Sequence, residues 1–109
     1  MNKQKRSDER SLALHRMIAE KLRRTPSLWQ TPKDNIARWK ERSGHLPPSI
    51  GEWERILNTK TREEILVLIA SDSEESIRLR SSSPFTGILS EDERAKIFES
   101  YGQKPVLVL

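Results

Sequence analysis

Leu14, Met17, Ile18 and Leu22 recur at three- and four-residue spacings, which gathers them into one apolar stripe on a helix predicted over about 8–24. Asp8 and Glu9 are then placed for the positive end of the helix dipole, and Arg23 and Arg24 for the negative end. Thr25-Pro26 and Thr31-Pro32 each set an N-capping hydroxyl before a proline suited to the first helical position. Two readings are open here: a single turn over 26–30 with a second helix from Pro32 to about 42, or one helix from 26 that kinks at Pro32. The repeated cap favours the break. Ile36 and Trp39 share a face of that helix, and Gly44 is a natural stop.

After the rigid connector HLPP (45–48) come three pairs of a hydroxyl residue and a glutamate three positions on: Ser49 with Glu52, Thr61 with Glu64, and Ser90 with Glu93. Each is a capping-box signature, so helices are predicted at about 50–58, 62–70 and 91–101. A weaker one is predicted at about 73–81, with its cap open among Ser71, Asp72 and Ser73. EILVLIA (64–70) also fits a buried strand, and the capping box before it tips the reading to helix. The expected fold is therefore all-α, a small irregular bundle of five or six short helices over 8–101. A disordered basic arm is expected at 1–7, with a tail at 102–109. That tail ends in PVLVL, which fits packing in the core, addition to another chain's sheet, or a loose end.

The segment SSSPFTGIL (81–89) resists this pattern, because Pro84 and Gly87 disfavour helix while Phe85, Ile88 and Leu89 are too apolar for an ordinary loop. The three residues either fold back between the flanking helices or face outward as an apolar patch, and folding back better protects a small domain from aggregation. Trp29, Trp39 and Trp53 pose the same choice between core bodies and interface anchors. The partner-binding candidates are Trp39, Trp53, Phe85, Ile88 and Leu89.

Composition narrows the partners. Leu, Ile, Val and Phe make up 26 of the 109 residues, enough for a thin core only. There is no cysteine, so disulfides and thiolate metal sites are absent and a reducing, cytoplasmic setting is expected. No apolar run is long enough for a membrane span. Residues 1–44 carry 12 basic against 5 acidic side chains, whereas residues 45–109 carry 8 against 11. The basic half can neutralise phosphates, with Arg10, Arg16, Lys21, Arg23 and Arg24 as nucleic-acid candidates, although solvated helices are commonly this basic.

Catalytic chemistry is hard to assemble. His15 and His45 lack a second ligand at helical spacing, and most carboxylate pairs lie in first helical turns, where the dipole explains them. Neither a phosphate loop nor a nucleophile elbow occurs. No enzyme activity, metal or cofactor is expected.

SLALHRMIAEKLR, ARWKERSG, EWERIL and LRSSSPFTGILSEDERAKIF, in that order, resemble a group of short helical bacterial proteins of poorly defined role that includes antitoxin-like companion proteins. The resemblance covers roughly 11–100 and carries no catalytic signature. It implies a protein partner such as a toxin encoded by an adjacent gene, and a structural or partner contact at SSPFTGIL. Pro32 departs from the smoother helix such proteins would have there. The expected function is thus a small interaction protein that binds and restrains a partner, the alternative being a DNA- or RNA-binding regulator. Monomer and dimer both fit the sequence.

Overall fold

The computed structural model describes residues 3–101; the expectations for the tail at 102–109 and for residues 1–2 lie outside the described residues. Among these residues the chain is entirely helical, with six α-helices and no strand. They are α1 (Lys3–Arg24), α2 (Gln30–Ser43), α3 (Pro48–Thr59), α4 (Arg62–Ala70), α5 (Glu74–Arg80) and α6 (Glu91–Ser100). Helix α1 is the spine, against which α4, α5 and α6 pack, while α2 packs on α3 and on the turn that follows α1.

The first helix begins at Lys3 and not near Asp8, so residues 3–7 of the expected arm belong to it. Asp8 and Glu9 therefore fall beyond the first turn, whereas Lys21, Arg23 and Arg24 do occupy the last one and complement the negative end of the dipole. The buried stripe is His15, Ile18, Ala19 and Leu22, with Leu14 and Met17 at its edge.

Pro26–Trp29 form a single 3-10 turn that runs directly into α2. Pro32 sits in the first turn of α2, where its missing N–H has no intrahelical carbonyl to bond, so the helix accepts it. The expected break before Pro32 does not form: Trp29 and Gln30 are both in the right-handed helical region, so the turn passes into α2 without interruption and only the helix type changes. Gly44 ends α2 in the left-handed region at φ 78°, and its N–H donates to the Lys40 carbonyl at 2.9 Å.

Two of the three capping boxes form. Thr61 and Glu64 bond reciprocally at 2.8 and 3.1 Å, and Ser90 and Glu93 at 2.7 and 3.1 Å. Ser49 does not cap α3: Pro48, with φ already fixed, takes the first helical position and starts the helix two residues early. Glu52 instead accepts two bonds from the Arg78 guanidinium, at 2.8 and 3.0 Å, joining α3 to α5. Ser73 resolves the ambiguous start of α5 by accepting from the Ser76 N–H at 3.1 Å. EILVLIA is helical, with Ile65, Leu66 and Ile69 buried and Val67 64% exposed.

The connection from α5 to α6 fills the middle of the molecule. Phe85 meets the rings of Trp53, His15 and Trp29 edge-on, at centroid distances of 5.4, 6.4 and 6.5 Å. A buried loop must satisfy its backbone polar groups, and side chains from the helices do so. Asn35 Nδ2 donates to the carbonyls of Pro84 at 2.8 Å and Thr86 at 2.9 Å, and Lys21 Nζ donates to the Ile88 carbonyl at 2.8 Å. Trp53 Nε1 reaches the Leu79 carbonyl at 2.8 Å just before the loop.

Replacing Phe85 with Ala is expected to lower the unfolding free energy by about 3–5 kcal/mol, because three rings lose a shared neighbour and helices on several sides block collapse. Asn35→Ala is expected to lower it by about 1–3 kcal/mol by orphaning two carbonyls. Urea titrations followed by circular dichroism measure both, and a loss below about 1 kcal/mol for Phe85→Ala would contradict the central role of its ring.

Candidate functional site

Four of the five partner-binding candidates are interior. Trp53 is 0% exposed, Phe85 1%, Ile88 3% and Leu89 8%, so folding back is the reading of the loop that the structure adopts. Their apolar surface is closed within the chain. Trp39 differs: it is half-buried on α2, and unlike that of Trp53 its indole N–H has no acceptor among the described residues.

The nucleic-acid candidates are drawn into the fold in the same way. The Arg10 guanidinium lies 5.0 Å from the centre of the Phe98 ring, fastening α6 to α1. Arg16 Nε donates to the Ala70 carbonyl at 3.3 Å, at the C-terminal end of α4. Lys21 Nζ is 2.7 Å from Glu93 Oε1, and Arg23 is 3.0 Å from Glu63. Of the five, Arg24 alone has no ion pair, side-chain hydrogen bond or ring contact among the described residues. The ammonium of Lys21, with the Ser90 N–H, holds the Glu93 carboxyl down at about 2. One carboxylate therefore caps α6 and also ties it to α1.

Two polar residues at the centre were not singled out by sequence. Arg80 is 5% exposed and its Nη1 donates to the carbonyls of Ile69, at 3.2 Å, and Ser71. With Arg16 it supplies the positive charge that the last turn of α4 lacks in its own sequence. Burial lowers the pKa of its guanidinium, which keeps its charge nonetheless. Asn35 is 4% exposed, and its side-chain oxygen accepts from Arg38, so the amide is occupied at both ends.

His15, expected as an ordinary helix-face residue, is 6% exposed. Its Nδ1 lies 2.8 Å from the Ser11 carbonyl, which can only accept, so Nδ1 carries the proton. Nε2 is then the acceptor for the Ser83 hydroxyl at 2.8 Å, and Ser83 Oγ in turn accepts from the Phe85 N–H at 3.2 Å. Beside the pair is a small cleft of about 180 Å³ walled by Leu14, Ile18 and Leu89, with Arg94 at its edge. The serine and histidine have the order of a nucleophile and its base, but burial pushes the imidazole down to about 4 and Arg80 opposes its protonation further. So weak a base activates a hydroxyl poorly at neutral pH. What the pair does is fasten the loop to α1.

Partly buried apolar side chains on α2 and α3 line two depressions, whereas the large apolar side chain most exposed among the described residues is Val67 on α4. Trp39, Pro47 and Ile50, with Arg42 and Ser43, line a depression of about 310 Å³ at the turn between the two helices. On another face, a larger cleft of about 500 Å³ runs between α2 and α3 over Ile36, Ala37 and Leu57, and the Lys40–Glu54 ion pair at 2.9 Å joins its walls.

His45 is exposed, and among the described residues no three His, Cys, Asp or Glu side chains converge on a point that could hold a metal ion. None of the described helices is long and apolar enough to cross a membrane. No family model, no curated protein and no solved structure matches the chain.

The His15 contact makes stability depend on pH with a definite sign. The imidazole is neutral in the fold down to about pH 4, whereas in the unfolded chain it protonates near 6.5. Its contribution is full above pH 6.5 and falls by about 3 kcal/mol as pH drops to about 4. Urea unfolding at a series of pH values checks this, and His15→Gln should flatten the slope in that window.

Proposed function

We propose that this chain is a small cytoplasmic interaction protein that binds and restrains a partner protein, in the manner of an antitoxin, using the face where α2 turns into α3. The observation that carries the reading is the position of Trp39. It is the one tryptophan left half-exposed, and it lines a depression with Pro47, Ile50 and an exposed Arg42. A tryptophan and an arginine around an apolar depression are the side chains that most often dominate protein interfaces.

The fate of the other candidates supports the same choice. Phe85, Ile88 and Leu89 are committed to the core, so the docking surface moves from the loop to the helical hairpin. Four of the five cationic candidates on α1 hold intramolecular partners, which leaves a phosphate backbone less to engage there. The His15–Ser83 pair is too weakly basic and too occupied by structural bonds to favour catalysis.

Co-expression with the product of the adjacent gene tests the proposal. The expected result is a complex that co-elutes in gel filtration and inhibits that product's activity in proportion to its amount. Trp39→Ala should weaken the complex by about 2 kcal/mol or more, with a much smaller effect on folding. A photo-crosslinker at position 39 should capture the same protein, whereas one at exposed position 95 should not. Failure to co-elute, together with identical crosslinks from both positions, would overturn the proposal.

A further inference from the structure

We infer that the depression at Trp39 takes an acidic apolar segment of the partner, with an apolar side chain seated against Trp39, Pro47 and Ile50 and a neighbouring carboxylate on Arg42. The inference rests on the interaction reading and specifies the chemistry that the face selects.

The cations of α2 are unevenly partnered within the chain. Helix α2 carries Lys33, Arg38, Lys40 and Arg42 against Asp34 and Glu41. Lys40 is neutralised by Glu54 across the α2–α3 cleft, and Arg38 donates to Asn35. Arg42, which lines the depression, has no ion pair or side-chain hydrogen bond among the described residues. The Trp39 indole N–H is likewise without an acceptor there. Trp39 and Arg42 thus line an apolar depression, and no acceptor within the described chain meets the indole N–H or the guanidinium. A carboxylate is the group that answers a guanidinium best, because it accepts two parallel bonds.

The apolar part fixes the other half of the ligand. At about 310 Å³ the depression is at the small end of binding pockets, suited to one apolar side chain and not to a small-molecule cofactor. Pro47 lines it and Pro48 follows directly, so the backbone on that side is stiff and little of its conformational freedom remains to be lost when the depression is filled. His45 is exposed in the adjoining connector, and no acidic side chain lines the depression. An acidic partner therefore meets attraction, and a basic one meets Arg42.

Protein labelled with 5-fluorotryptophan gives the test, its three fluorine resonances being assigned with a Trp39→Phe variant. The probes are a short peptide of Leu and Glu and a twin with Lys in place of every Glu. The Trp39 resonance is expected to move with the Glu peptide at least about tenfold more readily than with the Lys twin, and less so as salt is raised. Arg42→Glu is expected to reverse that preference.

Equal response to both peptides, or a preference untouched by Arg42→Glu, would overturn the inference. So would movement of the Trp39 resonance with the protein's own concentration alone, because a second copy would then occupy the face. If the partner from the adjacent gene binds Arg42→Glu as it binds the parent, the interaction reading survives and the acidic specificity falls.

Discussion

The Phe85 ring stands edge-on to Trp53, His15 and Trp29, residues contributed by α3, α1 and the turn before α2. It is not on a helix, and that is the constraint on which the architecture turns. A bundle of six short helices with few large apolar residues has too little helix-to-helix surface to close unaided, so the connection at 81–90 serves as its central layer. Putting backbone there creates carbonyls that water cannot reach. Asn35, Lys21 and Trp53 supply the missing donors, and the Ser83 hydroxyl is gripped by His15. The interior is thus apolar in its rings and polar in its seams, and the seams join the loop, or the end of α5 that leads into it, to α1, α2 and α3.

This arrangement also decides what remains for function. Residues whose type marks them as binding groups are mostly engaged within the chain, including three of the loop's apolar side chains and four of the five cationic candidates on α1. Arg16 and Arg80 neutralise the end of α4, while Arg10 and Lys21 hold α6. The α2–α3 hairpin is less committed. Its Trp39 retains an unused donor, its arginine is unpaired, and its turn is stiffened by two prolines.

Much of the fold was legible in local chemistry. The capping boxes at Thr61 and Ser90 and the left-handed stop at Gly44 are bonds within one or two turns, so composition and spacing reveal them. Ser49 shows where that logic fails: a capping signature competes with a proline that fixes its neighbour's start, and the proline wins. Asn35 and His15 could have been noticed, since Asn35 shares the Pro32, Ile36, Trp39 spacing and His15 the Ile18, Leu22 spacing. A polar residue on an apolar stripe announces a buried bond. Arg80 gave no such signal, because its acceptors end a different helix and only tertiary packing brings them near. The site was read in part: Trp39 was named among the candidates, whereas Arg42 beside it was indistinguishable by sequence from other surface cations.

The distance along the chain between loop and rings has a consequence for synthesis. Asn35 and Pro84 are 49 residues apart and His15 and Ser83 are 68 apart, so helices α1 to α4 leave the ribosome well before the segment that joins them. In that interval Trp29 and Trp53 lack their common neighbour, and the nascent chain exposes its stickiest surface. A chaperone has its natural opportunity to engage the polypeptide then, before translation delivers residue 85.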